Sequence, residues 1–199
     1  MLFGALRAGT VLLRGRRWRV PYLTICICAL LSCGFILQYI FPHLLPLFER
    51  NAGEIRHGQW WRVLSALFFQ DGWFAGATFN LVMLLLVGGV AEQVLTRNQW
   101  AAIYFAGGMI SEIIALFWQP IGAGNSIATC ALAGCVVAMF PGRKCWSMGA
   151  IARLVALAAA IGLALRRDIH GVSFLVGALL GVAILGSWGK KHGAPPQSE

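Results

Sequence analysis

Gly124-Asn125-Ser126-Ile127-Ala128-Thr129-Cys130-Ala131-Leu132-Ala133-Gly134-Cys135-Val136-Val137-Ala138-Met139-Phe140 carries no charge and opens with two polar side chains, Asn125 and Ser126. The apolar run after Ser126 is shorter than the ~20 residues a helix needs to cross the hydrocarbon core of a bilayer. So short a helix is stable at that depth only if one end lies below the surface in a protein-lined cavity, because lipid leaves bare backbone groups unsatisfied. Ser126 stands at the N-terminal end of the run and is expected to be recessed in such a cavity.

The rest of the chain has the same character. Of 199 residues, 59% are hydrophobic and 12% charged, with a mean hydropathy of +0.74; a soluble domain carries about 25% charged residues. Six apolar runs have roughly the length of a span: Tyr22–Phe41, Phe74–Ala91, Trp100–Trp118, Ile127–Phe140, Met148–Leu165 and Ile169–Trp188. The expected fold is an all-α membrane protein, a six-transmembrane-helix bundle in a lipid bilayer. Residues 1–20 form a basic lead-in, 21–189 the membrane domain, and 190–199 a tail expected to be disordered. Between the first two spans, Trp60 and Trp61 precede Val63–Phe69, an apolar piece too short to cross. That piece reads as interfacial or re-entrant. No internal repeat marks a transporter with inverted halves.

The formal charge of +9 does not point to nucleic acid, because the basic residues gather at loop ends, where membrane topology accounts for them. With the N-terminus inside, one side holds Arg7, Arg14, Arg16, Arg17, Arg19, Arg97, Arg143, Lys144, Arg153, Lys190 and Lys191. The other holds only Arg50, Arg56, Arg62, Arg166 and Arg167. The excess places both termini in the cytoplasm. Met1–Val20, without a signal-peptide cleavage site, reads as an amphipathic segment on anionic lipid. Spans four and six then start at the outer face, so Ser126 and His170 share one depth. Cys26, Cys28, Cys33, Cys130, Cys135 and Cys145 show no metal-ligand spacing and read as small apolar residues, with no disulfide and no metal.

A serine hydroxyl is a poor nucleophile until a base removes its proton. His170 opens a span and can do this; His43 and His57 fall in the first loop and His192 in the tail. Ser173, Gly177 and Gly181 follow His170 at helical spacing, a small-residue face that permits close backbone approach. Span four answers with Ser126, Cys130, Ala133 and Gly134. Packing these faces brings Ser126 Oγ to a ring nitrogen of His170, a Ser–His dyad for acyl chemistry. An acyl-transfer oxyanion needs donors, and the backbone N–H of Ser126 and the side-chain amide of Asn80 are candidates. Asp168 reads as facing the outer interface, not as an orienting carboxylate. Glu112, costly in lipid, reads as a buried structural group. Singly, Ser126 fits a helix cap, His170 a packing residue and Asn80 an interhelical hydrogen bond. Together, on compatible helix ends, they favour catalysis.

In this order the residues resemble the rhomboid intramembrane serine proteases of the bacterial six-transmembrane type, over nearly all of Tyr22–Trp188. Trp61-Arg62 is similar to the family's first-loop pair, and Phe79-Asn80 with Gly88, Gly89 and Glu92 to its second span. Gly124-Asn125-Ser126 with Gly134 is similar to its Gly-x-Ser motif, and His170, Gly177 and Gly181 to its sixth-span pattern. The resemblance implies a rhomboid-like bundle in the bacterial inner membrane, with a hydrated cavity open to the outer face. It implies hydrolysis of a peptide bond in or near the transmembrane segment of a single-span membrane-protein substrate, without a cofactor. Ser126 is then the nucleophile, His170 the general base and later the general acid, and Asn80 an oxyanion donor. Three positions depart from the pattern: Gly76 and Asp71 stand where the family has histidines, and Ile127 where it often has glycine. They keep open a second reading, a catalytically weak or inactive rhomboid-like protein that binds membrane clients.

Overall fold

The computed structural model describes residues 1–12, 18–139 and 148–192. The chain begins with α1 (Leu2–Leu12) and α2 (Tyr22–Ile40). A first loop holds α3 (Leu44–Phe48), β1 (Arg50–Asn51), α4 (Ala52–Arg56) and α5 (Arg62–Ser65). Next is α6 (Trp73–Val94), and then a single path built of α7 (Arg97–Ala102), a π-turn at Ile103–Gly107 and α8 (Gly108–Ala115). After β2 (Ile121–Gly122) come α9 (Ser126–Ala138), α10 (Met148–Leu165) and α11 (Ile169–His192). In length and apolarity α2, α6 and Ile169–Gly186 can each cross a membrane, and Ser126–Ala138 and Gly149–Leu165 are shorter apolar helices. The architecture is the expected all-α six-span membrane bundle, with a π-turn inside the third span.

The short helix is the axis of the bundle. α9 has 13 residues, and every one from Ile127 to Ala138 is buried. At ~1.5 Å per residue it covers ~20 Å, well short of the ~30 Å hydrocarbon thickness. α11, α6, α1 and the π-turn of the third span surround it. Its tightest neighbour is α11. A Cβ added to Gly134 would overlap the Phe174 carbonyl, and one added to Gly177 would overlap the carbonyl of Ala131. One at Gly181 would stand 3.0 Å from Cys135 O. Ser173 Oγ donates to Ile127 O at 2.6 Å, so its hydroxyl is satisfied within the contact.

Glu92 explains a charge inside an otherwise apolar helix. It lies in the last turn of α6, and its carboxylate accepts from Leu23 N at 3.0 Å, Thr24 N at 2.9 Å and Thr24 Oγ1 at 2.9 Å. The two backbone N–H groups are orphan donors at the start of α2, where the helix dipole also favours a negative charge. The two helices approach closely at this end: a Cβ on Gly88 would lie 2.9 Å from Thr24 Cγ2.

Two contacts add to the sequence reading, and one boundary changes. The lead-in packs on the bundle: α1 docks on α10, with Ala5 buried and a Cβ on Gly4 reaching 2.8 Å from Ala152 O. Small residues on both helices make that docking possible, which an amphipathic pattern alone does not reveal. The first loop also carries a short strand. β1 and β2 pair antiparallel, Arg50 with Gly122 and Asn51 with Ile121, which ties it to the segment before Ser126. α11 continues through Lys190 and Lys191 to His192, past the expected end at Trp188. The expected disorder at 193–199, the loop residues Arg143, Lys144 and Cys145, and the basic residues Arg14, Arg16 and Arg17 lie outside the described residues.

Candidate active site

The segment before α9 is held from three directions. Gly124 N donates to Ala66 O at 2.9 Å. Asp71 brackets Ala123: its backbone N–H donates to Ala123 O at 3.2 Å, and its carboxylate accepts from Ala123 N at 3.1 Å. Asn125 is fully buried, and its Oδ1 accepts from Gln70 Nε2 at 2.6 Å. Gly124 leaves the backbone bare beside the chemistry: an added Cβ would stand 3.4 Å from Ser126 Oγ and 3.8 Å from Asn80 Nδ2.

Ser126 Oγ and His170 Nε2 are 3.0 Å apart, and His170 Nδ1 and Asp168 Oδ1 are 2.7 Å apart. An ionised carboxylate only accepts, so Nδ1–H is the donor to Asp168. The neutral ring then has a lone pair at Nε2, and it accepts from the Ser126 hydroxyl. The nucleophile-type hydroxyl and the base-type ring are therefore within bonding distance in the orientation that proton removal requires.

Asp168 corrects the sequence reading, which turned it away from the ring. Two residues apart on a helix do not face each other, but Asp168 is not in the helix. It immediately precedes α11, and its Oδ1 also accepts from His170 N at 2.9 Å, as an N-cap does. A side chain folded over the first turn in this way meets the His170 ring.

Asn80 reaches the same place from α6. Its Nδ2 donates to Gln70 Oε1 at 2.9 Å. A carboxamide nitrogen has two hydrogens, so one further N–H belongs to this group. Gln70 was not singled out in the sequence. It is 2% exposed and held by a reciprocal pair with Gln38: Gln70 N to Oε1 at 2.9 Å, and Gln38 Nε2 to Gln70 O at 2.5 Å. At Gly76, an added Cβ would meet nothing within 4 Å.

These groups line a cavity of about 430 Å³, whose walls include Arg50, Asp71, Asn80, Ser126, Ile169 and His170. Polar walls next to a half-exposed His170 make it a place where water can act as a reactant. Arg50 is the second surprise, because it reads as a loop charge and is 3% exposed. Its guanidinium pairs with Glu112 of α8 and donates to Gln119 O at 2.9 Å. Glu112 is thereby a structural anchor, as its burial cost in lipid demands. Arg62 is likewise internal, donating to Pro46 O at 2.8 Å, Glu49 O at 3.1 Å and Gln59 Oε1 at 2.7 Å. Beside these charges, burial raises the pKa of Glu49 above the ordinary carboxyl range, with Asp71 adding to the effect while Arg62 and Arg50 oppose it.

The fold is thus a six-span membrane bundle with a serine hydroxyl set against an imidazole at a polar cavity. Residues 57–190 match the Rhomboid domain, and the chain belongs to that family. Over 85 residues it is 29% identical to the Rhomboid protease GluP of Bacillus subtilis (strain 168), a match covering 43% of this chain and 16% of that protein.

Proposed function

We propose that the protein is an intramembrane serine protease that cleaves a peptide bond in or near the transmembrane segment of a single-span membrane protein. The observation that carries this reading is the 3.0 Å contact between Ser126 Oγ and His170 Nε2 at the wall of the cavity. Ser126 Oγ attacks the scissile carbonyl carbon as His170 Nε2 takes its proton. The tetrahedral oxyanion is met by the Ser126 backbone N–H and the Asn80 amide. On collapse, His170 returns the proton to the departing amine, leaving an acyl-serine. Water, deprotonated by the same nitrogen, then releases the acid and restores Ser126.

The test is a fluorophosphonate probe on the purified protein in detergent. Labelling is expected in the wild type and absent in Ser126→Ala. Wild-type protein that takes no label and cuts no transmembrane substrate would favour a client-binding rhomboid-like protein. The residues that favour that alternative are Gly76 and Asp71, which stand where the resemblance leads one to look for histidines.

Two further results follow from this reading. Asn80→Ala is expected to lower kcat by about 10²–10³, the effect of one lost oxyanion donor. KM should hardly change, because the interaction strengthens only in the transition state. Gly76→His has open space for its side chain and is expected to raise kcat if the imidazole reaches the oxyanion. Steady-state cleavage of a fluorogenic transmembrane peptide measures both, and a wild-type kcat in Asn80→Ala would remove Asn80 from the site. For topology, the Lys and Arg distribution supports cytoplasmic termini in the inner membrane, with the cavity open outward. Reporter fusions at Arg143 should read cytoplasm and those at Pro120 the outside. The reverse pattern would invert the orientation of the site.

A further inference from the structure

We infer that Asp168 is a positioning residue for His170, so that the site works as a Ser126–His170–Asp168 triad; this rests on the protease reading above. One carboxylate oxygen does two things. Asp168 Oδ1 accepts from the His170 ring at Nδ1, 2.7 Å away, and from the His170 backbone N–H, 2.9 Å away. The first bond selects the tautomer with Nε2 free to accept the Ser126 proton. The second locks the carboxylate to the helix turn that bears the ring. Base and orienting group thus move together.

The position of Asp168 is itself dictated by the end of α10. Arg167 takes a left-handed backbone conformation, with φ at 59°. Arg167 N then donates to Ala164 O at 2.9 Å, and Asp168 N donates to Leu163 O at 2.9 Å. This is the paired closing pattern that ends many helices, with an arginine where glycine is usual. The return into α11 is tight, since a Cβ on Gly171 would overlap the Ala160 carbonyl and stand 2.6 Å from Ala164 N. The end of α10 therefore sets the carboxylate, the start of α11 sets the ring, and the hairpin between them has no slack.

During the reaction the carboxylate stabilises the imidazolium as Nε2 gains the Ser126 proton, and Asp168 takes up no proton itself. The Asp168 side chain is 37% exposed, so water screens part of this effect. The expected loss is about 10²-fold in kcat, below the ~10⁴ seen when a buried triad carboxylate becomes an amide.

The decisive variant is Asp168→Ser. Serine keeps an oxygen for capping α11 but is too short to reach Nδ1. We expect an unchanged melting temperature, unchanged KM and a kcat about 10²-fold lower, with Asp168→Asn behaving alike. A second readout does not need turnover. With ¹⁵N-labelled histidine, and His170→Ala to assign the signal, the neutral ring of wild type should carry its proton on Nδ1, and that of Asp168→Ser should mix both tautomers. A wild-type kcat in Asp168→Ser, or an unchanged tautomer, would make Asp168 a helix cap only and overturn the inference. Failure of the parent reading looks different: wild type would then be no faster than Ser126→Ala.

Discussion

Ser126→Ala and His170→Ala are each expected to lower kcat by about 10⁶, and the double variant to be no slower than either single one. In the proposed mechanism the hydroxyl and the ring act as one unit, so removing either stops proton transfer from Oγ and leaves the other with nothing to do. Both variants should fold. The cap position of α9 is Asn125, with no side-chain cap bond, and the Ser126 hydroxyl is directed at His170 instead. His170 is half-exposed to the cavity, and its ring bonds are to Asp168 and Ser126. Cleavage of a fluorogenic transmembrane substrate, with melting temperature as the fold control, measures the effect. Wild-type cleavage in His170→Ala would displace it as the base, while multiplying losses in the double variant would mean the two residues act separately.

How far the sequence leads depends on how local the cause is. The contact face of α11 was legible because Ser173, Gly177 and Gly181 recur at helical spacing within one segment. The shortness of α9 was legible from its apolar run alone, and the cavity at its start lies where so short a helix needs one. Asp168 reads from the sequence as facing the outer interface, and its turn toward the ring depends on where α11 begins, because its carboxylate folds over the first turn of that helix. Gln70 and Arg50 were illegible because their partners are distant in sequence. Gln70 meets Gln38, Asn80 and Asn125, and Arg50 meets Glu112 across 62 residues. No periodicity connects such pairs. Each polar group could be flagged as costly to bury, but which groups repay one another is decided by tertiary packing. The sequence therefore shows that Glu112 needs a partner and not that Arg50 is that partner.

Oxyanion stabilisation is where these distant partners bear on chemistry. Asn80 is held by Gln70, Gln70 by Gln38 and Asn125, and Asn125 immediately precedes Ser126. One amide network thus links Asn80 of α6 to the helix that Ser126 opens. It gives a physical basis for expecting Asn80 to work without a histidine at position 76, because a donor fixed in advance costs no reorganisation as charge develops.

Gly177→Leu is expected to destabilise the folded protein by more than about 3 kcal/mol, the upper end of ordinary overpacking, and to abolish cleavage. The obstacle is backbone and not a side-chain tip that could rotate away. A Cβ at Gly177 would overlap the carbonyl of Ala131, and Ala131 lies in the fully buried α9. α9 has no free direction in which to retreat, since α6, α1 and the π-turn pack around it. α11 must then move outward, and it carries His170 away from Ser126, a contact that tolerates little beyond its 3.0 Å. In a bilayer no gain of apolar burial offsets this, because helix association depends on close packing more than on escape from water. The matched control is Gly162→Ala on α10, where an added Cβ meets nothing within 4 Å and both melting and cleavage should be kept. Gly134→Ala should fall with Gly177→Leu, because its Cβ would overlap the Phe174 carbonyl from the opposite helix. Thermal melting in detergent and substrate cleavage read all three variants. A Gly177→Leu protein that melts and cuts like Gly162→Ala would mean that α9 and α11 do not touch at this point, and that the small-residue face serves another purpose.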